Sequence, residues 1–589
     1  MRRTIQATAI ILTLVSPSLA LWPQPTSIQT GSSALILSPN FTFTLDSSLS
    51  ASAPSDLSDA LSRTSTHLYT DKLERLVVGR GSADFNITST APTLSSLTLS
   101  LTTTDSDDAN GTILSIAQEA QKNLGDRDEG YSLSIPADGT DAVLSANTTL
   151  GLFRGLTTFE QMWYTMDDGE VYALGVPVTI EDAPVYPFRG FMLDTSRNYF
   201  AVDDILRTLD AMSMVKLNTF HWHVTDSQSF PLVVPGFEEI SQKGAYSSSS
   251  VYTADDVANI VSYAGARGID VLVEIDTPGH TAIISESHPE HVACPQATPW
   301  GSYANEPPAG QLRLTSPDTT SFTSSLLLSV SSMFPSTLMS TGGDEVNMNC
   351  YAADEETQVW LNETGKSIAE ALSEFVLDTH EVLRNGSGSE EVNGKVVGGK
   401  TPVVWEEMVL NYNVPLPNDT VIMVWISSAN AAAVAAKGYN FVHAASDYFY
   451  LDCGAGEWIG DKPTGNSWCD PFKTWQKSYS FDPTANLTTE EAALVLGGEH
   501  LIWAEQSSPT NLDSIVWPRS AAGAEIFWSG PVNTTTTEIS GTSADGRNVS
   551  NALPRLHDLR FRMVQRGIGA IALQPEWCAL RPEACDWSA

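Results

Sequence analysis

The chain has 589 residues, 42% of them apolar and 15 of them Trp, so a large core can form; length alone suggests roughly two to four domains, or fewer if one is a large barrel. Acidic residues outnumber basic ones by 70 to 31, for a net charge of −39. That balance excludes nucleic acid or an anionic membrane surface as partner, because both need basic surface, and it suits a neutral or cationic ligand.

Residues 1–20 read MRRTIQATAIILTLVSPSLA, with Arg2 and Arg3, an apolar centre near Ala9–Val15 and a small-residue end at Ser18-Leu19-Ala20. This is the pattern of a secretory signal peptide cleaved after Ala20. The apolar stretch is too short to span a bilayer and no second candidate follows, so the expected product is secreted, with no membrane anchor. Asn-x-Ser/Thr sequons at Asn40, Asn86, Asn110, Asn147, Asn362, Asn385, Asn418, Asn486, Asn533 and Asn548 agree with a secretory route. Six cysteines in that compartment imply disulfides rather than a metal cluster. Proximity favours Cys578–Cys585 and Cys453–Cys469, leaving Cys294–Cys350.

Residues 21–181 are read as a smaller N-terminal α/β domain, with a removable pro-segment after Ala20 left open. Alternating stretches such as FTFTLDSSL and LSSLTLSLTTT read as strands of a mixed sheet. Two further strands flank an Asp-Gly turn, and a helix is expected from about Leu152. The prolines of IEDAPVYPFRG mark the boundary, and residues 182–589 form the second domain.

There, short apolar runs recur at residues 188–197, 219–226, 270–280, 338–346, 402–408, 421–427, 440–452 and 500–506, with helical periodicity between them. Eight strands alternating with helices predict a (β/α)8 barrel, whose active site lies at the C-terminal strand ends. A doubly wound open sheet is disfavoured, because no Gly-x-Gly-x-x-Gly follows the first strand.

The fourth run ends in STGGDEVN, residues 340–347. Asp344 and Glu345 therefore stand at the barrel mouth, and paired acids among aromatics fit glycoside hydrolysis. Neighbours on a strand point to opposite faces, so the two acids need different tasks unless the strand has already ended. Trp405, Trp425 and Trp503 lie near strand ends and offer flat faces to sugar rings, as an alternative to filling the barrel interior. Arg189, Asp452 and Glu505 offer charged hydrogen bonds, and Tyr450 a phenol; a structural bond at the rim is the rival reading for each. His221 and His223 share a strand face and, with His280, Asp226 and Asp276, allow a zinc-dependent amidohydrolase as the alternative chemistry. Otherwise His280 orients Glu345 and is itself oriented by Asp226.

In order, RGFMLDTSRNYF, HWHVTDSQSFP, EIDTPGHT, GGDEVN, VVWEEM, YLD and IWAEQ…WPR resemble the motifs of family 20 glycoside hydrolases, the β-N-acetylhexosaminidases, over roughly residues 180–580. The signal peptide, sequons and cysteines look most like the secreted fungal members. The resemblance implies an exo-acting, retaining, substrate-assisted reaction on N-acetylhexosamine-terminated oligosaccharides. In it Glu345 is general acid and then base, and the substrate's acetamido oxygen is the nucleophile. It further implies that Asp344 and Tyr450 hold the acetamido group and that Trp405, Trp425 and Trp503 wall it. Arg189, Asp452 and Glu505 would bind ring hydroxyls, and Asp226 with His280 would serve Glu345. No cofactor or metal is implied, and a homodimer is compatible. Ser227, Phe449 and Glu406 depart from the residues frequent at their positions, which bears on gluco versus galacto preference. A catalytically silent sugar-binding protein is the third reading, disfavoured by the intact Asp344 and Glu345.

Overall fold

The computed structural model describes residues 19–50, 52–102, 113–388, 391–392, 395–462, 465–530 and 547–587. Residues 1–18 of the expected signal peptide and the sequons Asn110 and Asn533 lie outside the described residues. Asn40, Asn86, Asn147, Asn362, Asn385, Asn418 and Asn486 are exposed, whereas Asn548 is half-buried and its side chain caps a helix by accepting from the Asn551 amide.

The first unit is a mixed sheet of six strands, β1 (Ser27–Leu45), β2 (Thr93–Leu101), β3 (Tyr131–Ile135), β4 (Ala142–Ala146), β5 (Trp163–Thr165) and β6 (Val171–Asp182). Its order is β1-β2-β4-β3-β6-β5, with β1 also pairing β6. Helix α2 (Thr149–Glu160) lies against it, and α1 (Ser55–Thr70) packs on α2. Leu35, Leu97, Leu133, Leu144, Leu156 and Phe159 are buried together between sheet and helices. The turn between β3 and β4 carries Gly139 at φ 81°, a conformation glycine adopts without strain. Helix α2 starts three residues before the expected Leu152, because the Thr148 side chain caps it by accepting from the Gly151 amide.

The second unit is a closed barrel of parallel strands: β7 (Phe188–Asp194), β8 (Thr219–Thr225), β9 (Asp270–Ile275), β10 (Leu338–Ser340), β11 (Thr401–Trp405), β12 (Val421–Val424), β13 (Phe441–His443) and β14 (Val495–Ile502). Outer helices include α3 (Val202–Met214), α4 (Ala254–Gly265), α5 (Pro317–Ser331), α6 (Ile368–Asn385), α7 (Ala521–Ser529) and α8 (Val549–Gln565). Strand β7 is buried along its whole length, as a strand enclosed on both faces must be. Helix α3 buries Ile205, Leu209 and Met212 on one face, which gives the helical spacing its cause. The last strand differs from expectation: it begins at Val495 rather than His500, because Gly497 and Gly498 bring the backbone against Phe188, His443 and Phe527, where a side chain would not fit.

The two units meet through buried charge. Glu129, held by Arg154 of its own unit at 2.7 Å, accepts from Arg189 of the barrel at 2.6 Å, Asp182 pairs with Lys216 at 3.1 Å, and Arg127 pairs with Asp270 at 2.7 Å. Disulfides join Cys294 to Cys350, Cys453 to Cys469 and Cys578 to Cys585. The second closes the loop after β13.

Candidate active site

Strand β10 is only three residues long, and the backbone leaves it at once through Gly342 at φ 62° and Gly343 at φ 100°. A Cβ on Gly342 would fall 2.0 Å from Asp276 Oδ1, and one on Gly343 would fall 2.7 Å from Met408, so only glycine permits this path. Glu345 itself is left-handed, at φ 53°. Asp344 and Glu345 therefore project from a coil, and the opposite-face constraint of a strand does not bind them.

Asp276, at the end of β9, accepts from the Gly343 amide at 2.8 Å and lies beside Asp344. Burial and the neighbouring Asp344 push the Asp276 carboxyl well above its ordinary range, so it holds the proton between them. Asp344 is raised as well, by burial and by Glu345 and Glu274 nearby. Its Oδ1 is buried and has no hydrogen-bond partner among the described residues. The sequence offered Asp276 only as a metal ligand; here it is a proton-holding support for Asp344.

Glu345 meets His280 Nε2 at 3.5 Å, and His280 Nδ1 lies 3.1 Å from Asp226 Oδ1. Burial raises the Glu345 pKa, but His280, Asn305 and Arg197 outweigh it and hold the carboxyl below its usual value. Burial disfavours the charged form of His280; Asp226, Asp344 and Asp276 win, and the ring is held protonated.

The aromatic residues form a continuous wall. Trp405 and Trp503 lie 6.2 Å apart between ring centroids, Tyr450 is 6.4 Å from Trp503, and Trp425 stacks on Tyr450 at 6.2 Å and 18°. Trp405 is fully buried, yet its Nε1 has no partner among the described residues. Asp452 Oδ1 accepts from the Trp503 amide at 3.4 Å, and burial pushes its carboxyl up to about 7. Glu505 is pushed well above its ordinary value by burial and by Glu306.

Glu345, Asp344, His280, Asp226, Trp405, Trp425, Tyr450, Asp452, Trp503 and Glu505 thus gather at one mouth. Arg189 does not. It is the second residue of β7, at the opposite end of the barrel, fully buried, bonded to Glu129 and lying over Trp528 at 4.9 Å. The cation at the mouth is Arg197, just past the C-terminal end of the same strand. It pairs with Asp226 at 2.9 Å, Asp194 at 3.2 Å and Glu306 at 3.1 Å, and covers the Trp503 ring at 5.0 Å. The C-terminal-end rule applied to RGFMLDTSR would have selected Arg197 over Arg189.

Three further residues escaped the sequence reading. Glu407 accepts from Trp425 Nε1 at 2.8 Å, and burial with Asp344 nearby pushes it up to about 9, so it is a neutral acid steadying that indole. Trp468, 64% exposed, sets its edge against Trp425 and Tyr450 at the rim, inside the Cys453–Cys469 loop. Glu306 arrives on an irregular loop with no periodic signal.

Two groups, His223 with Glu274 and Asp276, and Asp276 with His280 and Asp344, bring donor atoms within 4.8 Å of one another. In both the histidine is held protonated between carboxylates, an arrangement that suits an ionic network rather than a metal ligand.

Residues 186–531 match the catalytic domain of glycosyl hydrolase family 20, and residues 21–162 match a domain described as beta-acetyl hexosaminidase like. A beta-hexosaminidase of Arthroderma benhamiae is 34% identical over 483 residues, covering 79% of this chain and 75% of that protein. A chitooligosaccharidolytic beta-N-acetylglucosaminidase of Bombyx mori is 35% identical over 473 residues, covering 78% and 75%. In structure, a Flavobacterium johnsoniae chitobiase superposes with a TM-score of 0.70 at 24% identity, over 93% of this chain and 73% of that one.

Proposed function

This chain belongs to glycosyl hydrolase family 20 and is a glycoside hydrolase of the β-hexosaminidase type, and from that premise we propose that it is a secreted, exo-acting, retaining β-N-acetylhexosaminidase. Its substrates are terminal β-linked GlcNAc and GalNAc, chitin oligosaccharides among them, and catalysis is substrate-assisted.

The reaction runs through the substrate's own amide. Glu345 gives its proton to the glycosidic oxygen as the bond to the anomeric carbon breaks, and the acetamido carbonyl oxygen attacks that carbon to close an oxazolinium ring. Asp344 takes the acetamido N–H through its free Oδ1, which makes the carbonyl oxygen more nucleophilic, and Tyr450 donates to that oxygen. Trp405, Trp425 and Trp503 confine the group, which makes the attack effectively unimolecular. Arg197, Asp452 and Glu505 take ring hydroxyls. Glu345, now a carboxylate, removes a proton from water as the water opens the ring with overall retention.

The observation that carries this reading is the unpartnered Asp344 Oδ1 beside the aromatic wall. A second one supports it: burial and neighbouring acids push Asp276 and Glu407 above the carboxylate range, which makes them poor nucleophiles and leaves the substrate to supply one. On an aryl β-GlcNAc glycoside, Glu345→Gln lowers kcat by about 100-fold or more. Asp344→Asn lowers kcat with little change in binding, and a thiazoline mimic of the oxazolinium ring inhibits strongly. Wild-type rates in both variants, or no thiazoline inhibition, refute the reading.

A further inference from the structure

The His221-Trp222-His223 run takes no part in the reaction above, yet both rings lie in the barrel interior with a carboxylate at every ring nitrogen. Glu499 Oε1 lies 3.0 Å from His221 Nδ1, and His221 Nε2 lies 3.2 Å from Glu274 Oε2. Glu274 Oε1 lies 2.5 Å from His223 Nδ1, and His223 Nε2 lies 2.8 Å from Asp226 Oδ2. Asp226 continues to His280 and His280 to Glu345 at 3.1 and 3.5 Å. The result is one unbroken line, Glu499–His221–Glu274–His223–Asp226–His280–Glu345, with its first five side chains sealed from solvent.

The line has a built-in charge order. A neutral imidazole offers a single N–H, so a ring with a carboxylate at each nitrogen donates to both only when protonated. Acid and cation therefore alternate along the barrel interior. The strand register makes this possible: His223 on β8 stands directly opposite Glu274 on β9, and Ser340 on β10 opposite Glu274 donates to it as well.

We propose that Glu499, His221, Glu274 and His223 are positioning residues that act through Asp226 and His280 to set the charge and orientation presented to Glu345; the inference rests on Glu345 being the acid and base. Burial alone would strip the proton from each ring, but the facing acids hold His221 and His223 protonated up to about 10 and 9. Other groups face the line. Glu345 is also faced by Arg197, Asp344 and Tyr412, Asp226 by Arg197 and Tyr246, and Glu274 by Asp276, Asp344 and Glu499. Trp405 lies against His221. Apart from Glu499, which one variant replaces, all of these stay in place in the variants below.

The test is the pH profile of kcat/KM on an aryl β-GlcNAc glycoside. A unit charge roughly 10 Å away at an effective dielectric of about 20 shifts a pKa by up to about one unit. His223→Gln removes a positive charge, so the alkaline limb moves up by about half a pH unit or more. Glu274→Gln removes a negative charge while Asp226 keeps His223 protonated, so the limb moves down. Glu499→Gln moves it down by less, because it sits at the far end. A merely structural role lowers activity equally at every pH, and folded variants with unmoved limbs overturn the proposal. Should the two inner variants fail to fold, Glu499→Gln decides alone: its side chain keeps the shape and its Oε2 has no partner to lose among the described residues. A downward limb supports the proposal and a fixed one overturns it. Glu345→Gln separates the two readings: if it stays active the reaction proposed above falls, and if it is inactive while the limbs stay fixed only this inference falls.

Discussion

Arg189 and Arg197 bracket one strand, and exchanging each for methionine separates their roles. In Arg189→Met the alkyl volume remains, but the guanidinium that donates to Glu129 at 2.6 Å, Tyr186 O at 2.9 Å and Lys216 O at 3.0 Å is gone. Glu129, held at about 2 by two arginines against the cost of burial, keeps only Arg154. Breaking a buried pair costs about 3–5 kcal/mol; the surviving Arg154 places this case at the low end, near 3 kcal/mol. Two buried carbonyls also lose their donors, each worth about 1 kcal/mol or more. At roughly 0.8 °C per kcal/mol for a chain of 589 residues, a loss of about 5 kcal/mol lowers the unfolding midpoint by about 4 °C. Calorimetry at a fixed scan rate reads that, while kcat and KM at 25 °C stay within about twofold. Arg197→Met also strands the buried Asp194 and Asp226 and lowers the midpoint, but in addition it lowers kcat/KM roughly 10- to 100-fold, through charged hydrogen bonds worth about 1.5–3 kcal/mol. If Arg189→Met impairs kcat/KM as strongly with an unchanged midpoint, the placement of Arg189 at the barrel base is wrong.

Gly342→Ala drives a Cβ into Asp276 at φ 62°, so kcat falls at least about tenfold from strain of roughly 1–2 kcal/mol plus a displaced support for Asp344; Gly398→Ala, with open space around it, serves as the neutral control. Stability should fall as pH rises from 6.5 to 8. Glu406 and Asp452, raised to about 7, and Glu407, raised to about 9, keep protons that the unfolded chain has already released, and His221 and His223 add to the loss above 6.5. His380, His443 and His500, lowered to about 3, 4 and 3, act only below 6.5, so a midpoint that rises over this window contradicts the assignment. Dialysis against a chelator leaves the rate on an aryl β-GlcNAc glycoside unchanged, and a loss restored by zinc would revive the amidohydrolase alternative.

The barrel was legible because enclosed parallel strands are written as short apolar runs, and the mouth because polar residues end those runs. Cross-strand partners were not. Glu274 reads as one more charged residue in DVLVEIDTPGH; only the register that sets it opposite His223 gives it a role. Glu407 was hidden beside Glu406 in WEEM, since a turn rather than an alternation decides which acid faces the pocket. Trp468 and Glu306 sit on loops, where no period announces direction. The order of the first sheet was also out of reach, because β1 pairs with both β2 and β6, and nothing local specifies either contact.

The charged seam between the two units bears on modularity. Arg189 and Lys216 belong to the barrel, but Glu129 and Asp182, which neutralise them, are contributed by residues upstream of it. A barrel excised at residue 186 would present two stranded cations and the bare indole of Trp528 on its floor. Inheritance, gene fusion or recombinant trimming of this catalyst must therefore carry residues 127–182 along, and the smaller unit is better regarded as the barrel's fitted base than as an accessory.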